Sequence, residues 1–391
     1  MLVIKNARLI VGGRVCDDTT KALVIEDGYI RAITDTPPAD AEVIDAEGLY
    51  CSAGFVELHT HGINGYDFMD ADAAGAGKAL VDYARFGVTG VYPTLMTASA
   101  EDLAAALDSL RPLAETPSDG AQFLGAHMEG PYFNAAQAGA QPPEVLRLPD
   151  AEEVTRFLNA YPFIRRWDLA PELEGAAEVI ETLVLRDVVT GVAHTDADSM
   201  TILQAAIQGC TVATHLYSGM SSVNRKDGFR HGGAVEGCML ADDITAEAIG
   251  DGIHLPPELL HLTWKVKGTN RMALVTDSNR GAAMPEGSAG RIGHYETGVP
   301  IVVADGVAWL PDRSAFAGSI ATMDRTVRTA VYEAGIPLGD AVRMATATPA
   351  AAMGLTDRGD LQEGLRADVV LFDDRITVHR TIVGGKTVYI R

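Results

Sequence analysis

Gly54-Phe-Val-Glu-Leu-His-Thr-His-Gly62 is the segment that decides the fold. It begins with Gly54–Leu58, a short apolar run of the kind that forms a buried strand. Side chains alternate between the two faces of a strand, so His59 and His61 share one face. The segment therefore predicts a buried strand that ends in a pair of imidazoles.

Further apolar runs of this kind follow: Val88–Pro93, Phe123–Met128, Ile164–Leu169, Val188–Ala193, Thr211–Thr214, Thr245–Ile249 and Met272–Thr276. Stretches with helical periodicity separate them. Ser99-Ala-Glu-Asp102, for example, is typical of a helix start, and Leu103, Leu107 and Leu110 then share one helical face. Alternating strands and helices predict a parallel sheet, and eight strands over about 225 residues fit one closed barrel. The predicted fold class is α/β, a (β/α)8 TIM barrel.

Both ends of the chain differ from this middle part, because they consist of short apolar stretches broken by turns. Asp27-Gly28 near the N-terminus separates two such stretches and is a strong hairpin signal, and Gly384-Gly385 separates two more near the C-terminus. We therefore predict a small β-sandwich domain formed by both termini. Its parts are residues 1–53 and 351–391, and residues 54–350 form the catalytic barrel.

The composition is that of a globular protein with a strong acidic excess. Of the 391 residues, 47% are hydrophobic and 21% are charged, and 31 Lys and Arg against 53 Asp and Glu give a net charge of −22. Such a charge repels nucleic acid and anionic membranes, so neither is an expected partner. An anionic ligand would need a local cluster of hydrogen-bond donors.

The cysteines and the first residues bear on location. Cys16, Cys51, Cys210 and Cys238 show no CxxC spacing, which indicates core residues of a reducing compartment. Lys5 and Arg8 interrupt the apolar start, which lacks the central region of a signal peptide, and no uncharged apolar run is long enough to span a membrane. These features predict a cytoplasmic protein.

Polar side chains follow most of the apolar runs. They are His59 and His61 after the first run, Glu129 after the third, His194 after the fifth, His215 after the sixth, Asp251 and His254 after the seventh, and Asp277 after the eighth. Barrel active sites lie at the C-terminal ends of the strands, so these side chains should meet at one mouth. A lone histidine is more often structural, but this many together indicate a site for a divalent metal, Zn²⁺ or Fe²⁺. His127 shares the face of Glu129 and is a candidate for a supporting contact; His231, His261, His294 and His379 lack such placement.

With these residues assembled, the whole chain resembles the amidohydrolase superfamily and, within it, the family of N-acetylglucosamine-6-phosphate deacetylases. The motifs are the opening segment, Gly65-Tyr-Asp-Phe-Met-Asp70, Gly125-Ala-His-Met-Glu-Gly-Pro131, Ala193-His194-Thr195, Thr214-His-Leu-Tyr217, Asp251-Gly-Ile-His-Leu-Pro256, Leu274-Val-Thr-Asp277 and Ala317-Gly-Ser-Ile-Ala-Thr-Met323. The Glu-Gly-Pro and Asp-Gly-Ile-His segments are distinctive. The resemblance implies a barrel of the metal-dependent hydrolase type.

The resemblance also implies a metal centre of one or two ions. Glu129, His194 and His215 would hold the principal ion, whereas His59 and His61 would hold a second, with Glu129 bridging and Asp277 contributing. The implied reaction is hydrolysis of the acetamide of N-acetylglucosamine-6-phosphate to glucosamine-6-phosphate and acetate by metal-bound hydroxide. Asp277 would be the general base and acid, and His254 would bind the substrate and stabilise the oxyanion.

Substrate contacts carry over less directly. The resemblance places the phosphate at Ser218 and Gly219, where the family commonly has Asn-Ala, and takes a basic residue from Arg225, Lys226 or Arg230, with a homodimer sharing it across the interface. Gly139-Ala140-Gln141 stands where the family often has Gly-x-His, so Ala140 is the middle residue and Gln141 takes the place of the histidine. Phe316, Ala317 and Gly318 match the segment that covers the substrate.

These departures leave alternatives open. One is deacetylation of a related acetamide, either N-acetylgalactosamine-6-phosphate or an N-acyl amino acid. The other is a noncatalytic barrel that serves as a scaffold for protein contacts, although all the metal-ligand positions are filled.

Overall fold

The computed structural model describes residues 1–313 and 316–391. Its centre is a barrel of eight parallel strands: Phe55–Thr60, Val88–Leu95, Ala126–Glu129, Ile164–Leu169, Val189–Val192, Cys210–Ala213, Thr245–Ile249 and Met272–Val275. Successive barrel strands pair side by side, and the barrel closes where the backbone N–H of Asp277 donates to the carbonyl of His59 at 2.9 Å. The predicted fold class is confirmed, and every barrel strand overlaps a predicted apolar run.

Helices cover the outside of the barrel. They are Ala73–Ala84, Ala100–Glu115, Ala151–Ala160, Ala176–Leu185, Ser199–Gln208, Ala234–Leu240, Pro257–Lys267, Met323–Tyr332, Leu338–Met344 and Ala347–Ala352, with 3-10 turns at Phe68–Asp70, Ala135–Gln137 and Pro143–Val145. The second helix begins as its sequence predicts, because the Ser99 hydroxyl accepts the N–H of Asp102 at 3.1 Å. Its Leu103, Leu107 and Leu110 are buried against the barrel.

One predicted run is divided in the structure. Phe123–Met128 corresponds to two strands, Gln122–Phe123 and Ala126–Glu129, and each pairs with a different part of Val88–Leu95. Gly125 separates them at a φ of +140°, a conformation that side chains disfavour. The break shifts the strand towards the mouth, so Glu129 is its last residue.

Two sheets built from both termini form the β-sandwich. One contains Tyr29–Thr34, Ala22–Glu26, Leu2–Lys5 and Glu42–Asp45, and the other contains Lys386–Ile390, Val378–Val383, Val369–Phe372, Tyr50–Ala53, Arg8–Val11 and Arg14–Cys16, each in spatial order. Val369–Phe372 pairs antiparallel with Tyr50–Ala53, which joins the two ends of the chain. Asp27 and Gly28 turn between paired strands with φ values of 52° and 85°, as a tight hairpin requires.

Several small sheets are additions that the apolar pattern did not predict. They are Gly62–Ile63 with Tyr66–Asp67, Asn224–Lys226 with Phe229–His231, and the three strands Ala289–Ile292, Val299–Ala304 and Val307–Trp309. We retain the boundaries 1–53, 54–350 and 351–391 as a proposal, and the helix Ala347–Ala352 spans the last of them. Within residues 1–313 and 316–391, no helix combines the length and apolarity needed to cross a bilayer.

Candidate active site

The polar residues predicted at the strand ends converge at the C-terminal mouth of the barrel. Glu129 is the last residue of its strand, whereas His194, His215 and Asp277 each lie just beyond theirs. These three have positive φ values of 43°, 31° and 46°, which are uncommon for residues with side chains. Such backbone strain is found where the surrounding structure over-determines a functional geometry.

Glu129 lies between two sets of imidazoles. Its Oε1 is 3.1 Å from Nε2 of His194 and 3.0 Å from Nε2 of His215. Its Oε2 is 3.2 Å from Nε2 of His61 and 3.8 Å from Nε2 of His59. A single carboxylate therefore belongs to both sets, as a ligand that bridges two ions would.

Asp277 completes the second set. Its Oδ1 lies 3.4 Å from Nε2 of His59 and 3.3 Å from Nε2 of His61, and the residue is 7% exposed. One oxygen of Asp277 therefore faces the same space as the second oxygen of Glu129.

These donors fit a divalent metal. In each of the groups His59–His61–Glu129 and Glu129–His194–His215, ligand atoms lie within 4.8 Å of one another. Among the described residues, His59 Nε2 and Glu129 Oε2 are buried without a hydrogen-bond partner. Buried polar atoms are nearly always paired, so two unpaired atoms that face one another favour an ion between them. The donor set of nitrogen and oxygen suits Zn²⁺ or Fe²⁺.

The electrostatics of the cluster agree with this fit. Burial opposes a charge on His59, but the carboxylates of Asp277 and Glu129 outweigh it and hold the pKa of His59 well above its usual range. Burial likewise opposes a charge on His61, yet the same two carboxylates raise its pKa to about 9. Burial favours a neutral Glu129, but His59 and its neighbours bring the pKa of Glu129 well below the ordinary value. The carboxylates thus require positive charge here, which protons or a metal ion supply.

A cavity of about 230 Å³ opens over the cluster. It is lined by His61, Met96, Glu129, Gly139, Ala140, Gln141, His194, His215, Ser218, Gly219, His254, Asp277, Ile292, Phe316 and Gly318. The structure therefore brings most of the predicted substrate residues to the metal ligands. Ala317 is fully buried, and its carbonyl accepts the side-chain amide of Asn279 at 2.7 Å.

His254 is held at the cavity wall by Asp251. Nδ1 of His254 donates to the Asp251 carboxylate at 2.6 Å, which leaves Nε2 as the ring nitrogen available to a ligand. The ring of Phe316 lies 5.0 Å from the imidazole and covers it. The motif Asp251-Gly-Ile-His254 is thus a device that orients one imidazole.

Ser218 and Gly219 lie on a tight turn against His194. The backbone N–H of Ser218 already donates to the carbonyl of His215 at 2.9 Å, so this residue offers its hydroxyl to a ligand. Gly219 has a φ of +59°, and a Cβ there would lie 2.7 Å from Nδ1 of His194. In this structure, a side chain at position 219 would therefore press on the His194 ring.

Arg225, Lys226 and Arg230 do not reach this cavity. They lie on the hairpin formed by Asn224–Lys226 and Phe229–His231, where every residue of both strands is exposed. Among the described residues, none of the three lines the cavity. A role in phosphate binding therefore depends on a second subunit.

The apolar pattern also missed part of the site. Met96 and Ile292 form apolar walls of the cavity. Gln141, which the resemblance did name, is fixed because its Oε1 accepts the N–H of Thr97 at 3.0 Å. Below the ligands, Arg166, Asp168 and Glu247 are fully buried inside the barrel. Charged residues at alternate positions of apolar runs were the available signal for these three.

His127 contributes to that buried layer. Its Nε2 lies 2.7 Å from Asp168 and its Nδ1 lies 3.0 Å from the Thr94 hydroxyl. Burial and the nearby Arg166 lower the pKa of His127 to about 4. Both ring nitrogens are therefore engaged, and His127 supports the site from below.

Comparison with known proteins agrees with this geometry. Residues 50–388 match the model of the amidohydrolase family. The chain is 31% identical to N-acetylglucosamine-6-phosphate deacetylase of Lysinibacillus sphaericus, over 98% of this chain and 97% of the relative. It is 30% identical to N-acetylgalactosamine-6-phosphate deacetylase of Shewanella, over 100% and 96%. The crystal structure of N-acetylglucosamine-6-phosphate deacetylase from Pasteurella multocida superposes with a TM-score of 0.91 at 27% identity and full coverage of both chains. The mouth of the barrel gathers four imidazoles and two carboxylates, and the relatives match the chain over nearly its whole length. The chain therefore belongs to the amidohydrolase family.

Proposed function

We propose that the protein hydrolyses the acetamide of N-acetylglucosamine-6-phosphate to glucosamine-6-phosphate and acetate. The observation that carries the proposal is Glu129, which stands between two sets of metal-binding imidazoles with Asp277 opposite. The related deacetylases from Lysinibacillus and Pasteurella, named for this substrate, support it.

In this reaction the protein side chains divide into three roles. Glu129, His194 and His215 would hold one divalent ion, Zn²⁺ or Fe²⁺, and His59 and His61 would hold a second where two ions bind. The metal, when bound, would supply Lewis acidity that lowers the pKa of water towards neutrality. Asp277, whose Oδ1 points into the same space, accepts the remaining proton and returns it to the leaving amine.

His254 completes the machinery on the substrate side. With Nδ1 committed to Asp251, its Nε2 can donate to the acetamide oxygen as negative charge develops there. Gln141, Ala140 and the segment from Phe316 to Gly318 enclose the sugar. Gln141 keeps one fixed orientation, so its side-chain NH₂ group is a directed donor for a sugar hydroxyl.

N-acetylgalactosamine-6-phosphate is the second candidate substrate. The relative from Shewanella bears that name and is similar to this chain over its full length. The two sugars differ in the orientation of one hydroxyl group, and Gln141 at the cavity wall is one position where this chain departs from the family pattern.

An acetate-release screen separates these readings. Initial rates should be compared for the 6-phosphates of N-acetylglucosamine and N-acetylgalactosamine, for unphosphorylated N-acetylglucosamine, and for an N-acetyl amino acid. We expect the highest kcat/KM for N-acetylglucosamine-6-phosphate. Equal kcat/KM with and without the phosphate would refute a phosphate site. Acetate release from the N-acetyl amino acid and from none of the sugars would refute a sugar substrate. No acetate from any of them would favour the noncatalytic scaffold.

We further propose a homodimer in which Arg225, Lys226 or Arg230 reaches the phosphate of the neighbouring subunit. The hairpin that carries them also exposes Phe229, at 73%, and Val223 just before its first strand is 55% exposed. Exposed apolar side chains beside basic ones are typical of an interaction surface. With a net charge of −22, a local set of cations is also what an anionic substrate requires.

Subunit complementation tests this dimer directly. An Asp277→Asn protein keeps the hairpin cations, and a triple alanine variant of Arg225, Lys226 and Arg230 keeps Asp277. If the cations act across the interface, mixed dimers of the two inactive proteins regain one complete site, and activity returns on mixing. A monomer in solution, or mixed dimers without activity, would refute the proposal.

A further inference from the structure

Arg166, Asp168 and Glu247 form a buried ion cluster inside the barrel, beneath the metal-binding residues. All three side chains are fully buried. Nε and Nη2 of Arg166 donate to the two oxygens of Asp168, each at 2.9 Å, and Nη1 donates to Oε1 of Glu247. Paired in this way, Glu247 has one oxygen committed to a guanidinium. Its other oxygen, Oε2, accepts the backbone N–H of His215 at 3.3 Å and can take a further contact.

That second oxygen contacts His59. Oε2 of Glu247 lies 3.1 Å from Nδ1 of the imidazole. An ionised carboxylate only accepts hydrogen bonds, so Nδ1 must carry a proton. The nitrogen that can give up its proton is then Nε2, which faces Oδ1 of Asp277 at 3.4 Å on the other side of the ring.

His59 differs in this respect from the other imidazoles of the site. Nδ1 of His194 donates to the carbonyl of Gln137 at 2.8 Å, a neutral acceptor. Among the described residues, Nδ1 of His61 and Nδ1 of His215 are buried without a partner. A charged group therefore fixes the ring of His59, whereas the other three rings are set by weaker contacts or by packing.

We infer that Glu247, itself fixed by Arg166, is the positioning residue that makes His59 a metal ligand through Nε2. Glu247 thereby controls the His59–His61 half of the site, in which a second ion would lie. Carboxylate partners of ligating histidines commonly orient the ring and raise its basicity. The inference rests on the proposed metal site, but it is independent of which substrate the protein uses.

Glu247→Gln tests this role with little change of shape. Arg166 needs an acceptor, so the oxygen of the new amide turns towards it and the NH₂ group faces His59. That group cannot accept the Nδ1 proton, and Nε2 is no longer the favoured ligand atom. We expect Zn²⁺ titrated into metal-free protein to bind about 10–100-fold more weakly at the site that His59→Ala also weakens. Unchanged Zn²⁺ affinity in Glu247→Gln would overturn the inference, as would unchanged affinity in His59→Ala.

Glu57→Gln is the control for changing an interior carboxyl group near His59; burial raises the pKa of Glu57 to about 8, so this variant removes little charge at pH 7. Glu57 is equally buried inside the barrel, but its Oε1 accepts the backbone N–H of His59 at 3.1 Å and does not contact the ring. Zn²⁺ binding should therefore stay at the wild-type level in this variant. A loss equal to that of Glu247→Gln would show a general effect of interior carboxylates and would refute the specific role.

A second measurement holds even if Glu247→Gln fails to fold. NMR of nitrogen-labelled histidines in Zn²⁺-loaded wild-type protein should show His59 with a proton on Nδ1 and none on Nε2, assigned by the signal that His59→Ala removes. A His59 without a proton on Nδ1 would overturn the inference. Because neither measurement uses substrate, a negative deacetylase screen would leave these results interpretable.

Discussion

Replacing Asp277 with asparagine separates catalysis from metal retention. Asp277 Oδ1 lies 3.3 Å and 3.4 Å from the two imidazoles of the His59–His61 pair, whereas the group Glu129–His194–His215 does not include it. Asparagine keeps the shape and one oxygen, but it cannot take up a proton. The principal ion should therefore stay bound while the proton transfer is lost.

The expected size of the effect follows from the role. A positioned general base and acid contributes about 10²–10⁴-fold, which corresponds to about 2.7–5.4 kcal/mol of activation free energy. The loss should appear in kcat with little change in KM, because the proton moves only in the transition state. In the proposed roles, binding of the sugar phosphate is assigned to residues other than Asp277.

Three measurements check this prediction. Acetate release gives kcat and KM, metal analysis gives the ion content, and circular dichroism confirms folding. Asp198→Asn is the control, since Asp198 caps the helix Ser199–Gln208 outside the cavity and asparagine caps equally well. More than about a tenth of wild-type turnover in Asp277→Asn would contradict the expected range. The base would then have to be sought at His254.

Three further predictions concern single residues. Glu129→Gln should lose bound metal and acetate release together, and full metal occupancy measured in that variant would contradict the bridging role. Gly219→Ala should lower the unfolding free energy by about 1–3 kcal/mol in urea titrations and reduce turnover, because the residue has a φ of +59° and its Cβ would press on His194. Gly228 has a φ of +86°, and no atom lies near the position of its Cβ, so Gly228→Ala controls for backbone strain alone. Asp168→Asn should cost about 3–5 kcal/mol of unfolding free energy at pH 7, because it breaks a buried pair. Burial opposes ionisation of Asp168, but the Arg166 guanidinium outweighs burial and lowers the pKa of Asp168. The stability that this ion pair contributes is therefore present above the ordinary carboxyl pKa of 3.8 and is lost as the pH falls below it. An equal cost of the substitution at pH 7 and at acid pH would contradict the pairing.

Much of the architecture was predictable because local pattern and global fold agree. The apolar runs have the length of buried strands, and helical periodicity fills the intervals, so the parallel barrel follows from the chain itself. The convergence of the strand-end side chains was also predictable. In a parallel barrel every strand ends at the same rim. Residues that are far apart in sequence, such as His59 and Asp277, therefore lie next to one another.

Other features depend on three-dimensional closure. Arg166 and Glu247 are visible in the sequence as charges within apolar runs. No local pattern, however, predicts which of the buried cations and carboxylates form an ion pair across the barrel. The division of the third run by Gly125 depends on its φ of +140°, which composition does not predict. The sheet beginning at Ala289–Ile292 contributes Ile292 to the cavity, although nothing in the motifs assigns it a role.

The barrel interior and the metal centre are one electrostatic structure. Glu129 and Asp277 place two negative charges beside His59, and Glu247 places a third on the opposite side of the same ring. Arg166 balances Glu247 and Asp168 only in part, so the buried layer still favours positive charge above it. A divalent cation at the mouth would satisfy that demand better than protons, because Glu129 Oε2 and His59 Nε2, buried without a hydrogen-bond partner, could both bind it. The residues that stabilise the interior of the fold therefore also prepare the metal site, and removing the metal should cost stability as well as activity.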